Sequence, residues 1–338
     1  MPLVSVVVPC YNEENTVQLL LEAVYRQTFP RHNMEVILAD GLSTDRTRER
    51  IAQFQQSHPE LALRVINNPR RIIPAGLNCA LAAATGEYIV RLDAHSMPAP
   101  DYVERCVSAL RAHSGDNVGG VWEIRPGAPG WLAEAIAAAA AHPLGVGDAL
   151  YRFTTRAALV DTVPFGAFRR VTFEKLGGFN ENLLTNEDYE FNARLRQTGG
   201  RVWLDPAIRS VYFARPTLKA LARQYFRYGY WKRRMLRSFP STLRWRQAVP
   251  PLFVLSLAGL ILLAPWWNVA RWLLLAEVLL YFLALLVGSA PSVLRQHKDP
   301  RLLLGIPAAI ATMHISWGSG FLWSLAGLRH TQDDSRNE

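Results

Sequence analysis

The sequence predicts a doubly wound α/β domain that continues into an amphipathic helix and a set of membrane-crossing helices. Three observations carry this reading. Near-continuous β-branched runs such as Leu3 to Val8 alternate with helix patterns through the first half, the mark of strands buried on both faces of a parallel sheet. Between Arg215 and Gln247 there are ten Lys or Arg and no Asp or Glu. Beyond Pro250 the apolar residues concentrate in stretches near the ~20 residues that cross a bilayer.

In chain order, Leu3 to Val8 is the first strand; it breaks at Pro9-Cys10-Tyr11-Asn12-Glu13-Glu14, and a helix pattern runs to about Gln27. Met34 to Ala39 is a second strand, ending at Asp40-Gly41-Leu42-Ser43-Thr44-Asp45; Ser43 or Thr44 is available to cap the helix that follows. Leu61 to Ile66 is a third strand, Pro74 to Ala84 a third helix and Tyr88 to Leu92 a fourth strand, with a helix-like segment from Pro100. Further on come a strand at Val118 to Ile124, an Ala-rich helix at Trp131 to Ala141 and a flexible loop at His142 to Gly147. Phe165 to Arg170 reads as a short strand feeding a helix at Val171 to Leu176. Asn186-Glu187-Asp188-Tyr189-Glu190 opens a helix to about Gln197, and Arg201 to Leu204 is a final strand before Pro206.

Thr217 to Phe239 is basic and aromatic together, the composition of a helix at a membrane surface. The apolar spans are Val249 to Pro265, Trp272 to Gly288 and Leu302 to Leu325, with Gly305, Pro307, Gly318 and Gly320 interrupting the third and leaving a re-entrant course open for it. The expected division is 1–214 catalytic, 215–247 interfacial, 248–327 membrane domain and 328–338 polar tail. Basic residues before the first span and at Arg295, Lys298 and Arg301 predict that these loops and the catalytic domain face the cytoplasm at a plasma (inner) membrane. Three crossings would then put the tail from Asp333 outside. The +9 net charge is local to the juxtamembrane block, so membrane lipid, not nucleic acid, is the expected partner. Cys10, Cys79 and Cys106 stand apart without metal spacing, which fits a reduced compartment. No charged region and cleavage site precedes the first strand, so no signal peptide is expected.

Ligands in open α/β sheets sit at the carboxyl ends of the strands. Asp93 and His95 follow the fourth strand there; they are either solvated loop residues or ligands of a divalent cation, since carboxylate and imidazole together suit Mn²⁺ and a carboxylate suits Mg²⁺. Acidic loops at Glu13 and Asp40 follow neighbouring strands and favour the second reading. Asp40 either caps the next helix or accepts from a nucleotide base or ribose. Neither GxGxxG nor GxxxxGK occurs, so neither a dinucleotide fold nor a P-loop is supported. Glu187 and Asp188 at a helix start either stabilise its dipole or supply a general base. Arg227 is a surface cation of the interfacial helix or a partner for a diphosphate.

Together these residues resemble family 2 glycosyltransferases of the GT-A fold. The matching runs are Val-Val-Val-Pro-Cys-Tyr-Asn-Glu-Glu at 6–14, Ala-Asp-Gly-Leu-Ser-Thr-Asp-Arg-Thr at 39–47, Leu-Asp-Ala-His at 92–95, Leu-Gly-Gly-Phe-Asn-Glu at 176–181, Asn-Glu-Asp-Tyr-Glu at 186–190 and Gln-Tyr-Phe-Arg-Tyr at 224–228. Within the family, the Leu-Asp-Ala-His form and the Gly-Val-Gly loop look closest to the bacterial succinoglycan-biosynthesis type of glucosyltransferase.

The resemblance implies a mixed GT-A sheet and inverting transfer from a nucleotide-diphosphate sugar, UDP-linked by expectation, with Mn²⁺ or Mg²⁺ as cofactor. Pro9, Tyr11, Glu13 and Asp40 would hold base and ribose. Arg71 would contact the nucleotide, with Arg70 beside it and Asn78 supporting the loop. Asp93 and His95 occupy the DxD motif, Asp188 is the implied base, and Arg227 is the implied diphosphate contact. The implied acceptor is a lipid-linked (polyprenyl) saccharide, the alternatives being polyprenyl phosphate itself or a non-catalytic scaffold role; a homo-oligomer or a complex with other glycan-synthesis proteins is left open. Two positions depart from the family pattern: His95 replaces the last Asp of DxD, and Tyr228 replaces the Trp of Gln-x-x-Arg-Trp found in processive synthases.

Overall fold

The computed structural model describes residues 2–294 and 299–328. Arg295 and Lys298, and the tail from Asp333, lie outside the described residues. β1 (Val4–Cys10), α1 (Val17–Tyr25), β2 (Met34–Asp40), α2 (Thr47–Ser57), β3 (Ala62–Asn67), α3 (Ile73–Ala83) and β4 (Tyr88–Arg91) alternate as the hydrophobic pattern requires. β5 (Met97–Pro98), α4 (Tyr102–Arg111), β6 (Asn117–Arg125), α5 (Trp131–Ala140), α6 (Pro143–Val146), β7 (Ala158–Leu159), β8 (Ala167–Arg169), α7 (Arg170–Leu176), α8 (Glu187–Gln197) and β9 (Val202–Phe213) follow. The chain ends in four long helices: α9 (Leu218–Met235), α10 (Trp245–Leu263), α11 (Asn268–Leu294) and α12 (Leu302–Leu325).

One mixed sheet runs in the order β3-β2-β1-β4-β8-β6-β9-β5, with β7 also on β9. β3, β2, β1 and β4 are mutually parallel, and β4–β8 and β8–β6 are antiparallel. The unbroken apolar run of β1 has a simple cause. Val6 and Val8 enter a core with Leu20, Leu21, Ile51 and Val103, whereas Val7 enters the opposite core with Leu77, Leu81 and Phe191. Helices thus cover both faces, and each fully buried Val contributes roughly 1.5–3 kcal/mol. Parallel pairing brings Cys10 level with Asp40, and Val7 level with Arg91. The loops after β1, β2 and β4 therefore leave the same edge of the sheet.

The chain packs as two units. One is the chain up to Glu123 together with Phe153–Tyr212; the other is Ile124–Arg152 together with the chain from Phe213 onward. Within the second unit, α9 and α12 form the most extensive packing between any two elements. Glycine makes that possible: a Cβ on Gly229 would lie 2.0 Å from the carbonyl oxygen of Trp317, and one on Gly320 would lie 2.1 Å from that of Phe226. α10, α11 and α12 are each long and apolar enough to cross a membrane. The first two leave nearly all of their apolar surface uncovered, whereas half of α12 is buried.

The structure corrects four details. The expected flexible loop at His142 to Gly147 contains the helical turn α6, whose start is capped by His142 Nδ1 accepting from Leu144 N and which ends at Gly147 with φ +62°. The final strand passes through Pro206 to Phe213, and the Asp205 side chain accepts the amide of Ala207 beside the proline. Neither Ser43 nor Thr44 caps α2; instead Asp45 accepts from Thr47 N and Oγ1. The third apolar span is one continuous helix, its glycines serving close packing and not interruption.

Candidate active site

Pro9, Tyr11, Glu13 and Asp40, the residues expected to hold base and ribose, lie where β1 and β2 end. Pro9 is buried in β1, opposite Ala39. Tyr11 is exposed, its ring lying over Gly41. Asn12 adopts φ 53°, a left-handed turn that Asn tolerates, and its side chain accepts from Thr44 N. Glu13 receives the Thr16 hydroxyl and, at 3.0 Å, His95 Nδ1. Asp40 is 0% exposed, and both carboxylate oxygens are engaged. Ser43 Oγ donates to Oδ1 at 2.5 Å, while Ser43 N (3.1 Å) and Arg48 Nε (2.5 Å) donate to Oδ2. Arg71 is exposed with φ 55°, and Arg70 pairs with Glu181. Asn78 is fully spent on the segment before α8: it donates to Phe179 O and Glu181 Oε1 and accepts from Phe179 N.

On the other side, β4 delivers Arg91 and Asp93, and the first turn of α8 delivers Glu187 and Asp188. Asn186 enters that turn in the left-handed conformation, φ 69°. Arg91, 4% exposed, places Nη2 2.7 Å from Glu187 Oε1 and 3.4 Å from Asp93 Oδ1. Glu187 is buried and ion-paired, whereas Asp188 is partly exposed and accepts the amide of Tyr189. Burial pushes both carboxyls up, Arg91 opposes it, and the shared negative charge with Asp93 adds to it; Glu187 reaches about 7. Arg227 lies on α9 in the second unit, one turn from the Gln224–Tyr228 hydrogen bond.

Among the described residues no three His, Cys, Asp or Glu side chains gather as a metal cage. The donor set at β4 still fits a divalent cation shared with a ligand. Asp93 gives Arg91 one long contact from Oδ1, and two residues on His95 carries an imidazole whose Nδ1 faces Glu13; a carboxylate and a nitrogen donor together suit Mn²⁺.

Sequence reasoning singled out every carboxylate of this cluster but not Arg91. A charge inside the buried run Tyr88 to Leu92 was itself a signal, because a buried Arg requires an anionic partner.

A mixed α/β sheet with acidic loops at the carboxyl ends of adjacent strands is the arrangement of the GT-A fold class. Residues 5–177 match the family model described as Glycosyl transferase family 2. The chain is 30% identical over 326 residues to the succinoglycan biosynthesis protein ExoA of Rhizobium meliloti, covering 96% of this chain and 95% of that one. It is 24% identical to a dolichyl N-acetyl-alpha-D-glucosaminyl phosphate 3-beta-D-2,3-diacetamido-2,3-dideoxy-beta-D-glucuronosyltransferase of Methanococcus voltae, covering 96% and 98%. Its backbone is similar to that of a mannosyltransferase of Pyrobaculum calidifontis solved with GDP-Man and Mn²⁺, with TM-score 0.63, 23% identity, and 97% and 88% coverage. The chain belongs to glycosyltransferase family 2.

Proposed function

We propose that this glycosyltransferase is a membrane-bound, inverting hexosyltransferase. It moves a sugar from a UDP-sugar to a hydroxyl of a lipid-linked, polyprenyl-borne saccharide in exopolysaccharide or cell-surface glycan synthesis. The observation that carries the reading is the gathering of Asp93, Glu187 and Asp188 around Arg91 at the end of β4. A strand-end loop and a helix start 94 positions apart, at Asp93 and Glu187, meet around Arg91. The relatives support the acceptor class, since the Methanococcus voltae enzyme is named for a dolichyl-linked sugar phosphate. A TarS structure of S. aureus with UDP-GlcNAc, TM-score 0.51 and 15% identity, supports no more than the shared fold.

Tyr11, Glu13, Asp40 and Arg71 form the nucleoside side, Pro9 shaping its floor and Asn78 holding the 179–181 segment. Asp188 takes the proton of the acceptor hydroxyl while that oxygen bonds to the anomeric carbon from the face opposite the leaving group. The bond from the anomeric carbon to the diphosphate oxygen breaks, and its electron pair leaves with the diphosphate. Mn²⁺ or Mg²⁺ held by Asp93 and His95 would supply positive charge against that leaving group. Arg227 is the second cation assigned to the diphosphate. Glu187, paired with Arg91, orients the turn and leaves proton transfer to Asp188. Residues 1–214 carry the catalysis, 215–247 dock on the cytoplasmic leaflet of the plasma membrane, 248–327 cross it three times, and 328–338 form the polar tail.

The test is a panel of radiolabelled nucleotide sugars supplied with Mn²⁺ to membranes carrying the chain, reading label in the organic-extractable lipid. UDP-sugars should label it. Asp188→Asn should lower labelling by about 10²–10⁴-fold, the range of general-base catalysis. Substantial residual activity would point to polyprenyl phosphate as acceptor, because a phosphate oxygen needs no strong base. Absence of both labelling and UDP-sugar hydrolysis would leave a non-catalytic scaffold.

A further inference from the structure

Arg91 is buried, yet two of its nitrogens, Nε and Nη1, make no hydrogen bond among the described residues. The third is shared. Nη2 lies 2.7 Å from Glu187 Oε1 and 3.4 Å from Asp93 Oδ1, and the ring of Phe179 lies 5.6 Å away and covers the guanidinium. A guanidinium normally satisfies carboxylates through a two-pronged fork. Here one nitrogen serves two carboxylates, and the 3.4 Å contact is the loose one. Those two carboxylates belong to the two halves of the proposed reaction: Asp93 on the donor side, and Glu187 on the turn that carries Asp188.

We propose that Arg91 is a positioning residue that couples the two half-sites, holding Asp93 loosely until the donor draws it away, while its pairing with Glu187 fixes the turn of Asp188. The inference rests on the functional reading above. Its physical content is competition: Arg91 and a divalent cation contend for the same Asp93 oxygens. Removing Arg91 frees Asp93 for the cation while loosening the Asp188 turn. Removing the charge of Glu187 leaves Arg91 to Asp93 alone and strengthens the competitor. The two changes therefore move cation binding in opposite directions. A merely structural role would weaken it in both.

The experiment uses the full chain in detergent at pH 8, titrated with Mn²⁺ in the presence of UDP, with free Mn²⁺ read by its magnetic resonance signal. Arg91→Met should bind Mn²⁺–UDP more tightly than wild type, and Glu187→Gln should bind it more weakly. Each shift should be up to about tenfold, the scale of one charge-assisted contact. In membranes, lipid labelling by Arg91→Met should fall further than its UDP-sugar hydrolysis, and Arg91→Lys should recover part of the labelling. Arg91→Met alone leaves Glu187 buried without its partner and can fail to fold. The double variant Arg91→Met with Glu187→Gln removes both charges, which proteins tolerate better, and it should bind Mn²⁺–UDP more tightly than Glu187→Gln. Shifts of the same sign in the two single variants, or a double variant no tighter than Glu187→Gln, would overturn the coupling. Failure of the functional reading looks different: the wild-type chain would then show no UDP-dependent Mn²⁺ binding.

Discussion

Asp40 ends one parallel strand and Asp93 follows another, two strands away in the same sheet, and they are built in opposite ways. Asp40 is sealed from solvent and its two oxygens take three hydrogen bonds, from Ser43 N, Ser43 Oγ and Arg48 Nε. Asp93 is partly exposed and holds one long contact to Arg91. A satisfied buried carboxylate fixes a loop, and the β2–α2 loop is set before any nucleotide arrives. An under-bonded carboxylate among like charges is reactive toward cations. The proposed nucleoside side is therefore preorganised, and the proposed reacting side keeps its unmet charge for a ligand.

The largest expected contrast follows from this difference. Asp93→Ala should abolish transfer, by about 10³-fold or more if it removes the charge stabilisation of the leaving group, with little change in melting temperature. Asp40→Ala should cost stability as well as any contact to the nucleotide. It strips Ser43 and Arg48 of their acceptor at a buried position, costing roughly 2–4 kcal/mol of stability and lowering the melting temperature by several degrees. Paired thermal and activity assays check both. An Asp40→Ala chain that melts like wild type would erase the distinction between the two carboxylates.

A smaller effect is in the pH dependence. Glu187 is pushed up to about 7 by burial, so the folded chain holds its proton more readily than the unfolded one. A carboxyl with a raised folded value favours the fold while protonated; that contribution is whole below the unfolded value, near 4.3, and is lost as pH rises through about 7. Glu187→Gln stays neutral throughout. Its melting temperature relative to wild type should climb between about pH 4 and 7. A gap that stays constant would mean that Arg91 keeps Glu187 ionised across the range.

Much of this was legible in the chain, for physical reasons that also mark where legibility stopped. Helix α3 was readable to within one residue and strand β1 to within two, because residues buried by their surroundings leave an unmistakable apolar run. Asp93 and Asp188 were readable because acidic residues sit where a strand ends or a helix begins. The Arg91–Glu187 pair was not, since its partners lie 96 residues apart and only the sheet order brings them together. The same holds for Glu35, which gathers Ser5, Arg64 and Thr85 from three other segments. Helix α6 was hidden because Pro143, Gly145 and Gly147 read as punctuation, whereas Pro143 sits at the first turn, where its missing amide costs nothing.

His95 gives the smallest and sharpest test of the asymmetry. Its imidazole is half exposed and pairs with Glu13 across the loops that follow β1 and β4, so it links the preorganised side to the reacting one. If it only lends a nitrogen to a cation that Asp93 anchors, His95→Ala should raise the Mn²⁺ concentration for half-maximal activity by about tenfold, one contact's worth, and leave the rate at saturating Mn²⁺ within about threefold of wild type. The Glu13 link makes a separate prediction. Glu13→Gln keeps an acceptor for the imidazole but removes its charge, so it should shift the Mn²⁺ requirement less than His95→Ala does. Loss of activity in His95→Ala that excess Mn²⁺ cannot restore would make the histidine an equal partner of Asp93, and the reacting side would then begin at β1 as well as at β4.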